Sequence, residues 1–278
     1  MAKILFAPNV SKVPIYSPFR YPGGKSRLYP LIKKWLSKNK SKSILLEPFA
    51  GAAHVGLAAV IEGMISKLIL VELDKTISSV WNTILSEDCD WLISNILNYD
   101  FANLKALLES EEVDEKRIAF KTLLTNRISR GGVVANGSGL LKQGENGKGI
   151  KSRWYPATLS NRIRKINSKR DKINFISGDG LEFLKDFQND RNALFFIDPP
   201  YPSAGARLYN YSAVNPHMVF EGISKLTGSF LLTYNYCNEI IKLIRKFDLE
   251  SRKIAINTSH NIQKFELLIS NDLSWIKD

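Results

Sequence analysis

Cysteine, histidine and methionine are scarce in this chain of 278 residues, with two, three and three copies. Cys89 and Cys237 lie far apart and neither belongs to a CxxC pair, so neither a zinc site nor a disulfide framework is suggested. Two reduced thiols in a cytoplasmic protein is the reading they favour. His54, His217 and His260 show no metal-ligand spacing, and no metal is expected. Long apolar runs are missing too. The longest, Asn192 to Ile197 and Ser229 to Tyr234, are strand-length, far short of the roughly 20 residues of a membrane span. The opening Met-Ala-Lys-Ile-Leu-Phe-Ala breaks at Pro8, without the apolar core of a secretory signal. Acidic residues are in deficit, 27 against 39 Lys and Arg, a net charge of +12. That surplus draws a protein to polyanions, nucleic acid first and an acidic membrane surface second. Hydrophobic residues at 44% and charged residues at 24% exclude a disordered, collagenous or fibrous chain. The length allows one large domain, or a core with a smaller insertion.

Along the chain, Pro18 to Ser26 reads as a tight loop leading into a helix over Leu28 to Ser37. Ile44 to Leu46 is a short apolar run without polar alternation, which suits a buried parallel strand. Pro48 and Gly51 break it, and a helix over Ala52 to Ile61 ends at Gly63. Lys67 to Leu73 is a second strand closing on Glu72 and Asp74, followed by a helix over Lys75 to Leu85. This is the sequence form of a βαβ unit. Ala102 to Leu124 is predicted as one helix. From Asn126 to Arg153 the composition shifts to glycine interleaved with Arg127, Arg130, Lys142, Lys148, Lys151 and Arg153. The α/β pattern then resumes with strands at Ile173–Ser177, Ala193–Ile197 and Phe230–Tyr234. Helices follow at Leu181–Phe187 and Cys237–Phe247. Arg252–Ile256 and Phe265–Ile269 form a further strand pair, predicted antiparallel from the short polar link Asn257 to Asn261. The expected fold is therefore an α/β, mostly parallel sheet with a C-terminal antiparallel hairpin. Residues 1–100 and 172–278 form the core, and 101–171 a smaller basic insertion.

Asp198-Pro-Pro-Tyr201 follows a buried strand, at the carboxyl edge where open α/β sheets bind ligands. Two prolines stiffen the backbone and remove two N–H donors, leaving a carboxylate, carbonyls and an aromatic face. Such an acceptor-rich pocket fits a planar molecule with an amino group. The bland alternative is a capping Asp before a Pro-Pro turn, with Tyr201 merely packing. In Glu47-Pro-Phe-Ala-Gly-Ala-Ala53, Gly51 permits a sharp strand-to-helix turn. Glu72, about 20 residues on, stands where an acid accepts hydrogen bonds from ribose hydroxyls. Together they point to an adenosine-containing cofactor; the alternative is an ordinary βα turn and an exposed Glu. Gly23-Gly-Lys-Ser26 fails as a P-loop, because the first glycine of that motif would fall at Phe19. Lys25 is kept as a pocket lysine.

Tyr21-Pro-Gly-Gly-Lys25, Glu47-Pro-Phe-Ala-Gly51, Glu72 and Asp198-Pro-Pro-Tyr201, in that order, resemble the motifs of the Dam-like (D12 class) DNA adenine-N6 methyltransferases. The resemblance runs from about Phe19 to about Ile269. It implies a Rossmann-like methyltransferase sheet with S-adenosylmethionine as cofactor and double-stranded DNA as substrate. A monomer is assumed, with no membrane or metal partner, and restriction–modification is one setting for such an enzyme. By position, Tyr21 and Lys25 line the methionine end of the cofactor, Phe49 and Gly51 form its turn, and Glu72, often Asp in relatives, binds its ribose. Asp179 lies near its adenine. Asp198, Pro199, Pro200 and Tyr201 form the catalytic motif, with Asp198 also near the cofactor. Two departures stand out: relatives usually continue the turn as Gly-x-Gly where Ala53 and His54 follow here, and Tyr21 replaces a Trp of some relatives. The insertion resembles relatives less closely and becomes the target-recognition part, with Arg127, Arg130, Lys151 and Arg153 as DNA-binding residues. Trp154 and Tyr155 are expected to pack its small core rather than wedge into DNA.

The expected chemistry is transfer of a methyl group to adenine N6 in a short DNA sequence after the base is flipped out. Asp198 and the Pro199 carbonyl each accept one N–H, localising the nitrogen lone pair. Transfer to another planar nitrogen (cytosine N4, an RNA base or a protein glutamine), or an inactive DNA-binding relative, are the alternatives. By family analogy Asp at the head of the tetrapeptide suits adenine, where Ser or Asn would suit cytosine or glutamine.

Overall fold

The apolar runs without polar alternation become the middle of one sheet. The computed structural model describes residues 4–6, 13–20, 25–132, 134, 139–142, 147–201, 214–257 and 263–276. Tyr21, expected at the cofactor, lies outside them, as does most of the link between the last two strands. In chain order, β1 (Leu5–Phe6), β2 (Ile44–Glu47), β3 (Lys67–Glu72), β4 (Ile173–Ser177), β5 (Ala193–Ile197), β6 (Ser229–Asn235), β7 (Glu250–Asn257) and β8 (Gln263–Ser270) are the described strands. They lie in the order β1-β7-β8-β6-β5-β2-β3-β4. β2, β3, β4, β5 and β6 pair in parallel, and β8 runs antiparallel between β6 and β7. The expected parallel sheet with a C-terminal antiparallel hairpin is the architecture found. From β2 the chain moves outward through β3 to β4, then returns to the other side of β2 for β5. The carboxyl ends of β2 and β5 flank this reversal of strand order, where open α/β sheets bind ligands.

Helices cover both faces. On one lie α1 (Tyr29–Lys38), α2 (His54–Ile61), α3 (Lys75–Leu85), α4 (Cys89–Asn98), α5 (Leu104–Glu109), α6 (Glu115–Ile128) and α7 (Pro156–Asn167). On the other lie α8 (Gly180–Asp186), α9 (Pro216–Ile223) and α10 (Asn238–Lys246). Strand alternation divides the core in two. Leu45, Leu68, Leu70, Leu231 and Leu268 meet Ile32, Leu57, Val80 and Leu123 of the first layer. Leu46, Ile69, Ile197, Leu232 and Leu267 meet Leu184, Phe220 and Ile240 of the second. Each such side chain, fully buried, contributes roughly 1.5–3 kcal/mol.

Among the described residues, the crossover from β3 to β4 carries five α-helices, α3 to α7. α3 and α4 lie on the core side of the expected boundary at 101, yet they pack against α6 and α7 beyond it. Core and insertion thus share one hydrophobic cluster. The single helix predicted over 102–124 is corrected to two, α5 and α6. Ser110 leaves α5 in an extended conformation, and Asp114 starts α6 afresh by accepting from the Lys116 amide. The basic stretch after Arg153 contains α7, which turns Leu159, Ile163 and Ile166 inward at helical spacing. Trp154 packs with Tyr99 and Phe101, ring centres 6.0 and 5.7 Å away, as expected. Tyr155, expected beside it, is exposed.

Candidate active site

β2 ends at Glu47, and the chain turns through Pro48 to Ala53 into α2. Gly51 (φ +46°) and Ala53 (φ +47°) both take the left-handed conformation. At Gly51 this carries no steric penalty. At Ala53, where the resembled family usually has glycine, it costs roughly 1–2 kcal/mol. The turn keeps its shape because neighbours hold it. The Gly51 amide donates to Glu72 Oε2 (2.8 Å), and the Gly51 carbonyl accepts from Trp81 Nε1 (3.0 Å). The Ala50 amide donates to the Val71 carbonyl (2.8 Å), and Glu72 Oε1 accepts from the Asp74 amide (2.9 Å). Burial raises the pKa of Glu72, opposed by the Asp74 and Gly51 amides. The Leu73 amide acts on it in the same sense, and part of its acceptor capacity remains for a further donor.

Two further residues of this turn escaped the sequence reading as site residues. Glu47 is buried and accepts from the Gly56 amide. Position 56 needs glycine, since a Cβ there would fall 2.4 Å from Leu68 Cδ1. Burial, partly offset by the Gly56 amide and reinforced by Asp198, pushes Glu47 up to about 8. His54 opens α2. Burial, with Arg162 and Lys25 nearby, pushes it down to about 4, which leaves a neutral imidazole at pH 7. Asp179 is exposed and caps α8, its Oδ1 accepting from the Leu181 amide (2.7 Å). Gly180 follows so closely on the turn that a Cβ would fall 1.9 Å from the Pro48 carbonyl oxygen and 3.2 Å from the Phe49 ring. Phe49, Gly51, Glu72 and Asp179 are thus gathered around one turn.

Asp198 leaves β5 beside β6. Its Oδ1 accepts from Thr233 Oγ1 (2.7 Å) and from the Tyr201 hydroxyl (3.2 Å). Lys25 Nζ reaches both carboxylate oxygens, at 2.9 and 3.0 Å, and stands 5.1 Å from the centre of the Tyr201 ring. The Tyr201 ring is stacked on Tyr234 at 5.3 Å. Pro199 is buried, and Pro200 half-buried. Lys25 was expected at the methionine end of a cofactor, and its ammonium is found on Asp198, the acid of the expected catalytic motif. Burial opposes its charge, but Asp198, Tyr201 and Glu266 outweigh that and raise Lys25 well above the ordinary ammonium range. Burial and Asp198 raise the Tyr201 phenol well above its ordinary value. Asp198 stays about one-quarter exposed, so its ion pair leaves it reachable.

One register rule gathers these groups. Leu45, Leu70, Leu231 and Leu268 face the first helical layer. Two residues along the same strands stand Glu47, Glu72, Thr233 and Glu266, with Thr233 opposite Leu268 and Glu266 opposite Asn235. Apolar residues of that parity fill the core, and polar ones at the strand ends line the site.

The D12 class N6 adenine-specific DNA methyltransferases match residues 21–255. The chain belongs to this family. It is an enzyme, a methyltransferase whose cofactor is S-adenosylmethionine. No curated protein matches it by sequence. Among solved structures the methyltransferase is similar to the precorrin-6y C5,15-methyltransferase of Geobacter metallireducens at 8% identity, covering 91% of this chain and 93% of that one, TM-score 0.41. It is also similar to the rRNA methyltransferase AviRa of Streptomyces viridochromogenes at 10% identity, covering 90% and 86%, TM-score 0.41. The B. subtilis tRNA methyltransferase TrmK is similar at 11% identity, covering 86% and 64%, TM-score 0.39. The family match, not these likenesses, carries the assignment.

The four cationic residues expected at DNA have different surroundings in the methyltransferase. Arg130 and Lys151 are exposed, with Lys151 Nζ 5.1 Å from the Phe101 ring centre, and Arg153 is half-buried. Arg127 points inward. Its guanidinium donates to the Pro18 carbonyl, and its own carbonyl accepts from Arg20 (3.2 Å). Burial, with Arg162 and Arg20 near, pushes Arg127 down to about 9. This side chain ties the N-terminal segment to α6, a role that arginine count and spacing do not reveal. Among the described residues no cluster of three His, Cys, Asp or Glu side chains is placed to hold a metal, and no helix is long and apolar enough to cross a membrane.

Proposed function

We propose that this methyltransferase methylates the exocyclic N6 of adenine in a short sequence of double-stranded DNA, after the base has been flipped out of the helix. The observation that carries the reading is the fixed Asp198 carboxylate at the reversal of strand order, held by Thr233, Tyr201 and Lys25.

The donor set fits the cofactor. Glu72 and Asp198 place acids on one face of the sheet, complementary to a molecule with a positive sulfur, an ammonium and ribose hydroxyls. Glu72 has lone pairs left for hydroxyls, and Phe49 and Gly51 bound the turn beside it. When bound, S-adenosylmethionine supplies a methyl group activated by the sulfonium charge. The rest is positioning.

The adenine amino group is a poor nucleophile because its lone pair is spread into the ring. Asp198 Oδ2, which accepts from Lys25 alone among the described residues, takes one N–H, and the Pro199 carbonyl takes the other. These bonds draw the lone pair onto nitrogen and stabilise the positive charge that grows there, which is discharged when the methylated nitrogen gives up one proton to Asp198 or to water. Pro199 and Pro200 hold the acceptors without offering competing amides. Extruding the base costs a few kcal/mol, and the Tyr201 ring, braced by Tyr234, recovers part of it. Exposed Arg130 and Lys151, with Arg153, hold phosphates in this reading.

The test is incubation with labelled S-adenosylmethionine and duplex DNA, followed by digestion to nucleosides. Label in N6-methyladenine is expected. Label in N4-methylcytosine, or transfer to RNA alone, would replace the reading with the corresponding substrate. Cofactor binding without transfer to any nucleic acid would overturn it.

A further inference from the structure

Behind Lys25 stands a second carboxylate. Glu266, on β8, places Oε1 3.7 Å from Lys25 Nζ, and its side chain is only 15% exposed. Its Oε2 is buried and has no hydrogen-bond partner among the described residues. One ammonium therefore lies between two acids, Asp198 on its near side and Glu266 behind. A buried carboxylate with an unsatisfied oxygen is costly, and native structures keep such groups where they have a use.

Charge balance supplies the use. Paired with Lys25 alone, Asp198 would present a neutral ion pair to an amino nitrogen that becomes positive as it takes the methyl group. With Glu266, the cluster holds two carboxylates and one ammonium. We propose that Glu266 is a positioning residue for the methyl transfer: it holds the Lys25 ammonium in place and offsets its charge, so that Asp198, Lys25 and Glu266 together turn one net negative charge toward the reacting nitrogen. The inference rests on the reading of Asp198 as acceptor of the amino group.

The surroundings of Glu266 are simple enough to test. Its register partners, Asn235 on β6 and Ile254 on β7, do not titrate. Lys253 on β7 is turned to the rings of Tyr236 and Phe265, 3.6 and 5.6 Å away. Among the described residues, Lys25, Asp198 and Tyr201 are the ionisable groups that act on it from outside its own strand. Burial raises its pKa, Lys25 opposes this, and Asp198 adds to it. Activity that needs the ionised form therefore falls as pH drops through this raised value.

The experiment compares wild type, Glu266→Gln and Glu266→Asp in the DNA methylation assay across pH. Glu266→Gln is expected to lower kcat about tenfold, with KM for DNA and for S-adenosylmethionine within twofold, and to lose the acid limb of the kcat profile. Glu266→Asp, which keeps the charge, is expected to recover most of the rate. Unchanged kcat and pH profile in Glu266→Gln would overturn the proposal, as would a Glu266→Asp enzyme as impaired as Glu266→Gln. The Lys25 ammonium is followed separately by NMR titration with labelled lysine, which needs no substrate. A downward shift in Glu266→Gln supports the ion-pair role even if the wild type proves not to act on DNA, and no shift removes it.

Discussion

The Gly51 amide and the Glu72 carboxylate are joined directly, N to Oε2 at 2.8 Å. The turn that opens α2 and the acid that closes β3 therefore form one unit. Trp81 completes it from α3 through the Gly51 carbonyl. Disturbing any of the three is expected to disturb the proposed cofactor site and the fold together.

Trp81→Phe removes the indole donor and leaves a buried carbonyl without its partner, at about 1–3 kcal/mol. The expected result is a lower Tm and weaker S-adenosylmethionine binding by calorimetry. Unchanged values in both would show that the turn holds itself.

Glu72→Gln keeps the size of the side chain and removes its charge and half its acceptors, while Glu72→Ala strands the Gly51 and Asp74 amides. Cofactor affinity should fall at least several-fold in both variants. Tm should fall further in the alanine variant, as a melting series would show.

Glu47 gives a pH signature. Burial pushes it from 4.5 up to about 8. The folded protein then keeps a proton that the unfolded chain releases, so stability falls as pH climbs from about 4.5 to about 8. Glu47→Gln cannot titrate, and its carbonyl oxygen can still accept from the Gly56 amide. Its Tm relative to wild type should rise across that interval. A difference that stays flat with pH would show that Glu47 titrates normally.

Asp198→Ala should abolish methyl transfer while DNA affinity stays within about twofold. Thr233→Val, which loses the 2.7 Å bond to Asp198, should keep the fold and lower kcat. Full activity in Asp198→Ala would remove the catalytic role given to this acid.

Arg130→Ala and Lys151→Ala should each weaken DNA binding and reduce the salt slope by about one, because each phosphate contact releases a counterion. Arg127→Ala should lower Tm and leave that slope unchanged, since its guanidinium is bonded to Pro18 inside the protein. A slope change in Arg127→Ala would place it at DNA after all.

Much of the sheet was legible because its strands are apolar without alternation, as in Ala193–Ile197, and because Pro48, Gly51 and Pro199 punctuate them. The helix Lys75–Leu85 was legible from its spacing. α4 and α7 were missed, and α5 and α6 were fused, because these helices face each other across the crossover. α6 and α7 carry many polar residues, α5 is only six residues long, and no proline or glycine marks the break between α5 and α6.

Taken alone, the sequence determined the class of fold, the order of the motifs and the two acids at strand ends, since local periodicity and turn chemistry are carried by neighbours in the chain. Only the tertiary structure decided that Lys25 meets Asp198, 173 residues away, that Glu266 stands behind it, and that Arg127 points inward. Those contacts depend on which strands lie side by side and which face each residue takes, and no local pattern encodes that.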